Sequence, residues 1–252
     1  MEHSGPMNGA DTIAEAKSNR DLPPCLSVVI PVYNEAGTVA KVLRTVLAQQ
    51  LVQQAIVVDD GSTDGTWAAL QPFASAAPRV VLVRHERNCG KGAALRTGFA
   101  RATSPIVLVQ DADLEYDPGE YYLVLKPILA GQADAVYGSR FQGAGAHRVL
   151  YYWHSVGNKL VTTFSNMLTD LNLSDVETCF KAFRREVLQQ VALREDGFGV
   201  EPEITAKISR LQLRIYEVPI SYYGRTYAEG KKINWRDGLK ALWCVFKYNL
   251  WR

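Results

Sequence analysis

The first half of the chain alternates between short apolar runs and longer segments in which apolar residues recur at helical spacing. Five such runs are present: LSVVIPV (26–32), AIVVD (55–59), RVVLVR (79–84), PIVLV (105–109) and ADAVYGS (133–139). Continuous runs rich in β-branched residues are typical of strands that are buried on both faces. The pattern therefore predicts five core strands.

The segments between these runs predict helices over 37–50, 66–76, 92–102 and 118–130. Strands that alternate with helices of this length predict an α/β fold, with a mostly parallel sheet and helices on both faces. The second half is less regular, and its pattern predicts a helix over 149–169, short strands near 177–183 and 213–223, and a helical tail from Trp235.

The 252-residue chain, with 47% hydrophobic residues, fits one globular domain, which we predict to span residues 25–233. Residues 1–24 are polar and aperiodic, so we predict a disordered N-terminal tail. Residues 234–252 predict an amphipathic helix, with apolar positions at Trp235, Leu239, Leu242, Trp243, Phe246 and Leu250. That helix either packs on the domain or lies at a membrane interface, and periodicity alone favours packing.

Composition narrows the class of partner and the compartment. The net charge of +2 argues against a nucleic-acid-binding protein, whose affinity would need a basic surface. The four cysteines are widely spaced without a CxxC pair, so their spacing suggests neither a zinc site nor a disulfide framework. No apolar segment reaches the roughly 18 residues needed to cross a bilayer, and the N-terminus lacks the apolar core of a signal peptide. We therefore expect a cytosolic protein.

Polar side chains follow each predicted strand. Ligands of open parallel sheets gather at the carboxyl ends of the strands, so we expect these side chains to converge on one crevice. They are Tyr33, Asn34, Glu35, Asp59, Asp60, Arg84, His85, Asp111, Asp113, Ser139 and Arg140. The turn after the first strand, PVYNEAG (31–37), has neither a GxGxxG pattern nor a Walker lysine, which counts against a dinucleotide dehydrogenase and a P-loop ATPase.

The fourth run leads into an acidic sequence, DADLEYDP (111–118). If the strand conformation persisted, Asp111, Asp113 and Glu115 would point to the same face, because side chains alternate along a strand. Three carboxylates on one face would suit Mg²⁺ or Mn²⁺, which prefer oxygen ligands and also bind substrate phosphates. The alternative is that these acids cap the next helix or solvate a loop.

Two further strand ends carry candidate binding groups. Asp59 and Asp60 either form an Asx turn or accept hydrogen bonds from a ribose or a base, and both interpretations can hold together. Lys91, within NCGKG (88–92), places an ammonium beside flexible backbone N–H groups, a combination that suits an anion. The alternative for Lys91 is a helix start with a solvated side chain.

Five segments, in this order and spacing, resemble the family 2 glycosyltransferases: PVYNE (31–35), VVDDGSTDGT (57–66), NCGKGAALRTG (88–98), DADLEYDP (111–118) and YGSR (137–140). Within that family, the resemblance is to the polyprenyl-phosphate, or dolichol-phosphate, mannosyl- and glucosyltransferases. It covers residues 26 to about 225. The resemblance implies a single Rossmann-like GT-A domain, a nucleotide-sugar donor and a divalent cation, Mg²⁺ or Mn²⁺, as cofactor.

The resemblance also implies roles for individual residues. The nucleotide sugar would be bound by Pro31, Tyr33, Glu35, Asp59, Asp60, Lys91, Asp111, Ala112, Asp113 and Glu201. The cation would lie at Asp111 and Asp113, with Glu115 as a third ligand at a position where the mannosyl enzymes often have Gln. For Glu201 and the neighbouring Glu203, an exposed first helical turn is an equally good interpretation.

In the reaction that the resemblance implies, a prenyl phosphate oxygen attacks the anomeric carbon of a donor of the GDP-mannose or UDP-glucose type, with inversion. The catalytic residues would be Asp113, Arg140, Arg225 and Lys231. For Arg225, Lys231 and Lys232 the alternative is a solvated loop.

The lipid acceptor implies a peripheral position on the cytosolic face of a membrane. Segment 147–168 matches the family's acceptor loop and interface helices, where His154 and Asn158 either face the acceptor or form a structural pair. Two alternatives to this function stay open. One is a family 2 glycosyltransferase that acts on a saccharide or another soluble acceptor, and the other is a noncatalytic nucleotide-sugar-binding subunit.

Overall fold

The structure, a computed structural model, describes residues 22–143, 148–149, 151–226, 229–230 and 235–251. Within them lie seven strands and eight α-helices, in the order β1 (Leu26–Val32), α1 (Val39–Ala48), β2 (Val52–Asp59), α2 (Thr66–Ala76), β3 (Val80–Arg84), α3 (Lys91–Phe99), β4 (Ile106–Val109), α4 (Tyr121–Leu129), β5 (Ala135–Ser139), α5 (Tyr152–Thr169), β6 (Lys181–Arg184), α6 (Arg185–Gln189), α7 (Val200–Ser209), β7 (Ile215–Pro219) and α8 (Trp235–Leu250). The predicted tail as far as residue 21, together with Lys231 and Lys232, lies outside the described residues.

The seven strands form one sheet in the order β3-β2-β1-β4-β6-β5-β7. Neighbouring strands run parallel except at β6, which lies antiparallel to both β4 and β5. Parallel neighbours cannot be joined by a tight turn, so helices carry the chain back between them. The predicted α/β fold with a mostly parallel sheet is confirmed.

Side chains along the interior strand β1 alternate between two cores, one on each face of the sheet. Val28 and Ile30 belong to the core that includes α1, α2 and α4, whereas Val29 belongs to the core that includes α3 and α7. Every one of these positions is buried, which explains why the strand has a continuous apolar run instead of an alternating pattern.

The ends of the predicted helices agree with the structure to within three residues, whereas α6 and α7 were not predicted. The predicted helix 66–76 coincides with α2, and the predicted helix 149–169 begins three residues later, at Tyr152. The segment predicted as one helix from residue 118 begins with a 3₁₀ turn, Pro118–Glu120, and continues as α4.

The strand conformation does not persist into the acidic sequence. β4 ends at Val109, and Leu114 has a left-handed backbone with a φ of 66°. Asp111, Asp113 and Glu115 therefore follow a bent loop, and their directions are set by that loop and not by strand alternation.

The C-terminal helix α8 packs against α5 and α7. Its buried face consists of Ala241, Cys244, Val245 and Tyr248. The predicted apolar stripe is a different face, and four of its members are more than half exposed: Trp235, Leu239, Trp243 and Leu250. Among the described helices, none has both the length and the apolar character that crossing a membrane requires.

Candidate functional site

The carboxyl ends of β1, β2, β4 and β5 open into a cavity of about 930 Å³. These four strands run in the same direction, so the residues that follow them meet at the same edge of the sheet. Most of the predicted site residues line the cavity: Pro31, Tyr33, Glu35, Asp60, Lys91, Asp111, Ala112, Asp113, Glu115, Arg140, Glu201 and Arg225.

Arg225 belongs to the segment after β7, and its side chain reaches into a group of carboxylates. Its Nη2 lies 2.9 Å from Asp113 Oδ2 and 3.1 Å from Glu35 Oε1, and its Nη1 lies 3.2 Å from Glu35 Oε2. Burial disfavours the charged guanidinium, but the hydrogen bond to Glu35 and the charge of Asp113 raise the Arg225 pKa above its ordinary value. The solvated-loop interpretation is therefore wrong for Arg225.

Asp111 and Asp113 have different local charge balances. Lys91 Nζ donates to Asp111 Oδ1 at 2.8 Å, and this ammonium holds the Asp111 pKa below its ordinary value although burial acts to raise it. For Asp113, burial and then the charges of Asp111 and Glu115 raise the pKa to about 7, against the opposing effect of Arg225. The two carboxylates therefore bring more negative charge together than the neighbouring cations balance.

This donor set fits a divalent cation in its chemistry, because carboxylate oxygens in excess of the neighbouring cations are the ligands that Mg²⁺ and Mn²⁺ prefer. The predicted arrangement of three ligands on one face is nevertheless wrong. Glu115 accepts a hydrogen bond from the Tyr222 hydroxyl at 2.7 Å and another from the Arg225 backbone N–H at 2.7 Å. Within the described part of the chain, Asp111, Asp113 and Glu115 do not form a group of ligand atoms within 4.8 Å of one another.

Lys91 has its side chain inside the cavity, so the solvated-lysine interpretation is wrong. Only 11% of that side chain is exposed, and its ammonium contacts Cys179 Sγ at 2.7 Å as well as Asp111. Gly90, just before α3, has a φ of 98°, and a Cβ there would lie 2.3 Å from the Asp196 carbonyl oxygen. The chain therefore requires glycine at this position in order to bring Lys91 to the cavity.

Helix α7 carries one carboxylate into the cavity and another away from it. Glu201 pairs with the buried Lys181 and lies 3.7 Å from Lys91 Nζ. Glu203 is fully buried and accepts hydrogen bonds from the backbone N–H groups of residues 194 and 195. The exposed-turn interpretation is therefore wrong for both residues.

Glu177 lines the cavity as well, and sequence reasoning did not single it out. Burial, followed by the charge of Glu201, raises the Glu177 pKa to about 7. Its Oε1 finds no hydrogen-bond partner among the described residues. The sequence signal is that Glu177 and Lys181 are the two charged residues in the mostly apolar segment VETCFKAF (176–183).

Arg140 is held by a buried carboxylate. Its Nε and Nη2 donate to the two carboxylate oxygens of Asp175 at 2.6 and 2.8 Å, and Nη2 also donates to Asn158 Oδ1 at 3.1 Å. Burial disfavours the charged form, but Asp175 raises the Arg140 pKa above its ordinary value. Asn158 belongs to this network, and both Asn158 and His154 line the cavity.

The two aspartates at the end of β2 have different positions. Asp60 lines the cavity, and its carboxylate accepts hydrogen bonds at 2.7 and 2.9 Å from backbone N–H groups in the loop before α3. Asp59 is fully buried, accepts the Ser62 N–H at 3.0 Å and pairs with Arg84 at 3.3 Å. The prediction that Asp59 binds the nucleotide is therefore corrected: Asp59 holds the turn, and it is Asp60 that faces the cavity.

Large apolar side chains from α5 and α8 also line the cavity. Trp153, Leu160, Trp235 and Leu239 belong to its lining and are 51–77% exposed. We call these four residues the apolar rim. Single exposed apolar residues are common on proteins, whereas contiguous groups of them are typical of interaction surfaces.

Some known proteins are similar to this chain in sequence, and others are similar to it in fold. The profile of the family described as glycosyl transferase family 2 matches residues 27–192. A polyprenol monophosphomannose synthase of Mycolicibacterium smegmatis is 31% identical over 211 residues, which cover 81% of this chain and 79% of that protein. A dolichol-phosphate mannosyltransferase of Pyrococcus furiosus is 29% identical over 210 residues, which cover 82% of this chain but only 58% of that protein.

Glucosyl-3-phosphoglycerate synthase of Mycobacterium tuberculosis has a similar fold. One of its crystal structures has a TM-score of 0.70 at 22% identity, covering 90% of this chain and 81% of that chain. A second, in complex with Mn²⁺, UDP and phosphoglyceric acid, has a TM-score of 0.67 at 22% identity, covering 90% and 79%. With its α/β sheet, its GT-A-like structural neighbours and its family match, the chain belongs to glycosyl transferase family 2 and is a glycosyltransferase.

Proposed function

We propose that this glycosyltransferase transfers a hexose from a nucleotide sugar, of the GDP-mannose or UDP-glucose type, to a polyprenyl or dolichyl phosphate at the cytosolic face of a membrane. The observation that carries the proposal is a single cavity that combines charged groups for two phosphorylated substrates with an exposed apolar rim. A lipid phosphate needs both in one place. The names of two relatives, polyprenol monophosphomannose synthase and dolichol-phosphate mannosyltransferase, support this acceptor class.

The nucleoside of the donor would lie against Pro31, Tyr33 and Asp60. Asp60 is suited to accept hydrogen bonds from a base or ribose, because two backbone N–H groups and the His85 ring already fix the direction of its carboxylate. A group fixed in this way loses little conformational entropy when a ligand binds.

The donor diphosphate would lie near Asp111, Ala112 and Asp113, where the two aspartates are the proposed ligands of Mg²⁺ or Mn²⁺. Such an ion, when bound, neutralises charge that develops on the departing nucleoside diphosphate. Lys91 adds a fixed positive charge beside it, since its ammonium is anchored on Asp111. The structural relative that binds Mn²⁺ and UDP supports a divalent cation in this fold.

The sugar would meet the carboxylates of Glu201 and Glu177. Lys181 holds one oxygen of Glu201, and the other oxygen, Oε1, has no hydrogen-bond partner among the described residues. The Lys91 ammonium lies 3.7 Å from this oxygen, beyond hydrogen-bond distance, so a sugar hydroxyl that donates to it would supply the missing hydrogen bond. These contacts would select among hexoses by the direction of their hydroxyl groups.

The acceptor phosphate is already an anion at neutral pH, so its oxygen can attack the anomeric carbon without a strong general base. The residues must instead reduce the repulsion between two anionic substrates. Arg140 and Arg225 line the cavity and carry the fork-shaped donors that suit a phosphate. Lys231, which lies outside the described residues, is proposed as a third cation for this phosphate.

The apolar rim would lie against the lipid surface. Tryptophan is enriched at membrane interfaces, and Trp153 and Trp235 are 77% and 70% exposed. Lys159 on α5 and Lys240 on α8 are also exposed and would attract anionic headgroups. The lipid chain of the acceptor could then remain in the membrane while its phosphate enters the cavity.

A transfer assay with a donor labelled in its sugar tests this proposal. The enzyme is incubated with GDP-mannose or UDP-glucose, a divalent cation and vesicles that contain polyprenyl phosphate, and the label is then partitioned between water and organic solvent. We expect label in the organic phase, and none when the acceptor is the matched polyprenol without phosphate. Label that enters only water-soluble products would contradict the lipid acceptor, and an absence of transfer from any donor would favour a noncatalytic subunit.

A further inference from the structure

A second candidate metal site lies where β2 and β3 end, and one of its three residues, Asp60, lines the cavity. Asp60, His85 and Cys89 place one ligand atom each within 4.8 Å of one another. Within the described part of the chain, they are the one group of three histidine, cysteine or acidic residues that comes so close. We propose that these three side chains bind a zinc-type divalent cation.

The choice of metal follows from the ligand atoms. A thiolate, an imidazole nitrogen and a carboxylate oxygen form a mixed set of sulfur, nitrogen and oxygen ligands that suits Zn²⁺, whereas Mg²⁺ and Mn²⁺ prefer oxygen ligands throughout. The ligands of the site also balance the charge: an ionised Asp60 and an ionised Cys89 neutralise a divalent ion, and His85 binds it in its neutral form. Three protein ligands leave a fourth tetrahedral position for water.

Part of the site is already arranged. His85 Nδ1 lies 2.6 Å from Asp60 Oδ1, and the other ring nitrogen, Nε2, lies 3.0 Å from Thr97 Oγ1. If Nδ1 binds the metal, the ring proton moves to Nε2 and is donated to the Thr97 hydroxyl, which fixes the ring in the required tautomer. The backbone N–H of Cys89 donates to Asp60 at 2.9 Å and holds the loop beside the carboxylate.

Closing the site requires only small movements. Ligand atoms around a tetrahedral Zn²⁺ lie roughly 3.2–3.7 Å apart, so the Asp60–His85 pair would open slightly and the Cys89 sulfur would move inward. Cys89 is exposed, and a rotation of its side chain can bring Sγ toward the other ligands while giving the ion a path from solvent. On binding, the thiol S–H bond breaks, a sulfur–metal bond forms and the proton passes to the buffer.

Metal binding here would compete with the donor. This step rests on the proposed function, in which Asp60 accepts a hydrogen bond from the nucleoside. A carboxylate oxygen that binds Zn²⁺ is no longer available to the base or ribose, so the ion would act as an inhibitor. Zn²⁺ can also bind carboxylates such as Asp111 and Asp113, so the response of Cys89→Ser is what distinguishes inhibition at this site from inhibition at the acidic pair.

Cobalt titration of the tag-free protein tests the site without any activity measurement. Co²⁺ replaces Zn²⁺ with the same ligands and gives a thiolate-to-metal absorption band when cysteine is a ligand. We expect this band in the wild type and in Cys179→Ser, which alters the thiol beside Lys91. We expect no such band in Cys89→Ser, and Co²⁺ binding at least about tenfold weaker in both Cys89→Ser and His85→Gln. Excess Mg²⁺ should not displace the bound Co²⁺.

Two results would overturn the site: no thiolate band in the wild type, or a band that persists in Cys89→Ser. The competition is tested separately, by adding Zn²⁺ to the transfer assay. Wild type should be inhibited, and Cys89→Ser should resist inhibition while its basal transfer stays unchanged. A cobalt band without zinc inhibition would overturn the competition alone, whereas a wild type inactive with every donor would count against the proposed function and leave the cobalt result standing.

Discussion

Asp113 is the residue on which the proposed cation site depends most directly. Asp113→Asn removes its charge with almost no change in volume, and the amide oxygen can still accept the Glu115 backbone N–H that Asp113 accepts at 3.2 Å. We expect Mn²⁺ affinity to fall by about tenfold or more and transfer to be lost, with the melting temperature little changed. The measurements are Mn²⁺ binding by electron paramagnetic resonance and the labelled-sugar assay.

Asp170→Asn provides the matched control. Asp170 is exposed, ends α5 with a φ of 56°, and asparagine tolerates this left-handed backbone as well as aspartate does. It makes the same chemical change away from the cavity. Wild-type transfer in Asp113→Asn at working Mn²⁺ concentration would contradict the role of Asp113.

Arg225 places its guanidinium among the carboxylates that would face a metal ion. Removing it in Arg225→Gln should raise the affinity for Mn²⁺ in the absence of nucleotide by about fivefold or more, because a unit charge a few ångströms away contributes on the order of 1 kcal/mol. Transfer should fall in the same variant, because a donor for the acceptor phosphate is lost. Arg214→Gln, which removes an exposed arginine paired with Asp134, should change neither quantity. Unchanged or weaker Mn²⁺ binding in Arg225→Gln would show that this guanidinium does not compete with the ion.

Glu177 gives a pH-dependent stability prediction. Its pKa is raised to about 7 in the folded protein, above the ordinary value of 4.5, so the folded state binds the proton more tightly than the unfolded chain. The Glu177 contribution to stability is therefore present at low pH and is lost as pH rises through about 7. Glu177→Gln should remove this dependence. Its free energy of unfolding, measured relative to that of wild type, should therefore be higher at pH 8 than at pH 5. Denaturant titrations at both pH values test this, and an equal difference at both would contradict it.

At the scale of elements, the exposed apolar residues of α5 and α8 lead to a prediction about membrane binding. Trp153→Ser combined with Trp235→Ser should lower binding to anionic vesicles by at least about tenfold, since burying one large apolar side chain contributes roughly 1.5–3 kcal/mol. Both side chains are mostly exposed, so the fold should be unaffected. Tyr216→Ser, on the edge strand β7, is the matched control for losing an exposed aromatic residue. Vesicle flotation measures the effect, and equal flotation of the double variant and wild type would exclude the rim as a docking surface.

The elements also differ in how well the sequence predicted them. β1 to β5 were predicted because strands buried on both faces have continuous apolar runs. The bend after β4 was not predicted, because the residue with a left-handed backbone there is Leu114, and leucine is not one of the residue types that indicate a turn. The buried face of α8 was predicted wrongly. The bulky apolar residues were expected to contact the core, whereas the helix packs through a face that includes the small residues Ala241 and Cys244.

Contacts between residues that are far apart in the chain could not be predicted from the sequence. Arg225 and Glu35 are 190 positions apart, and no local pattern connects them. Asp60, His85 and Cys89 also come from separate segments, since Asp60 follows β2, His85 follows β3 and Cys89 lies in the loop before α3. Cysteine spacing gave no indication of this group, because only one of its ligands is a cysteine. By contrast, the rule for parallel sheets depends on topology alone, and six of the predicted strand-end residues do line the cavity: Tyr33, Glu35, Asp60, Asp111, Asp113 and Arg140. The other five do not line it: Asn34, Asp59, Arg84, His85 and Ser139.

At the scale of the whole molecule, charge is unevenly distributed. The chain has a net charge of +2, yet the described residues that line the cavity include eight carboxyl side chains and three lysine or arginine side chains. A nucleoside diphosphate entering such a cavity alone would meet repulsion. The balance therefore favours binding of the donor together with a divalent cation, and binding of each should strengthen the other.

The most direct test is the anomalous diffraction of crystals soaked with Mn²⁺ and GDP or UDP. We predict a manganese peak between Asp111 and Asp113, in contact with the diphosphate, and no manganese at Asp60, His85 and Cys89. A diphosphate bound in the cavity with no manganese beside either aspartate would contradict the central claim of the account.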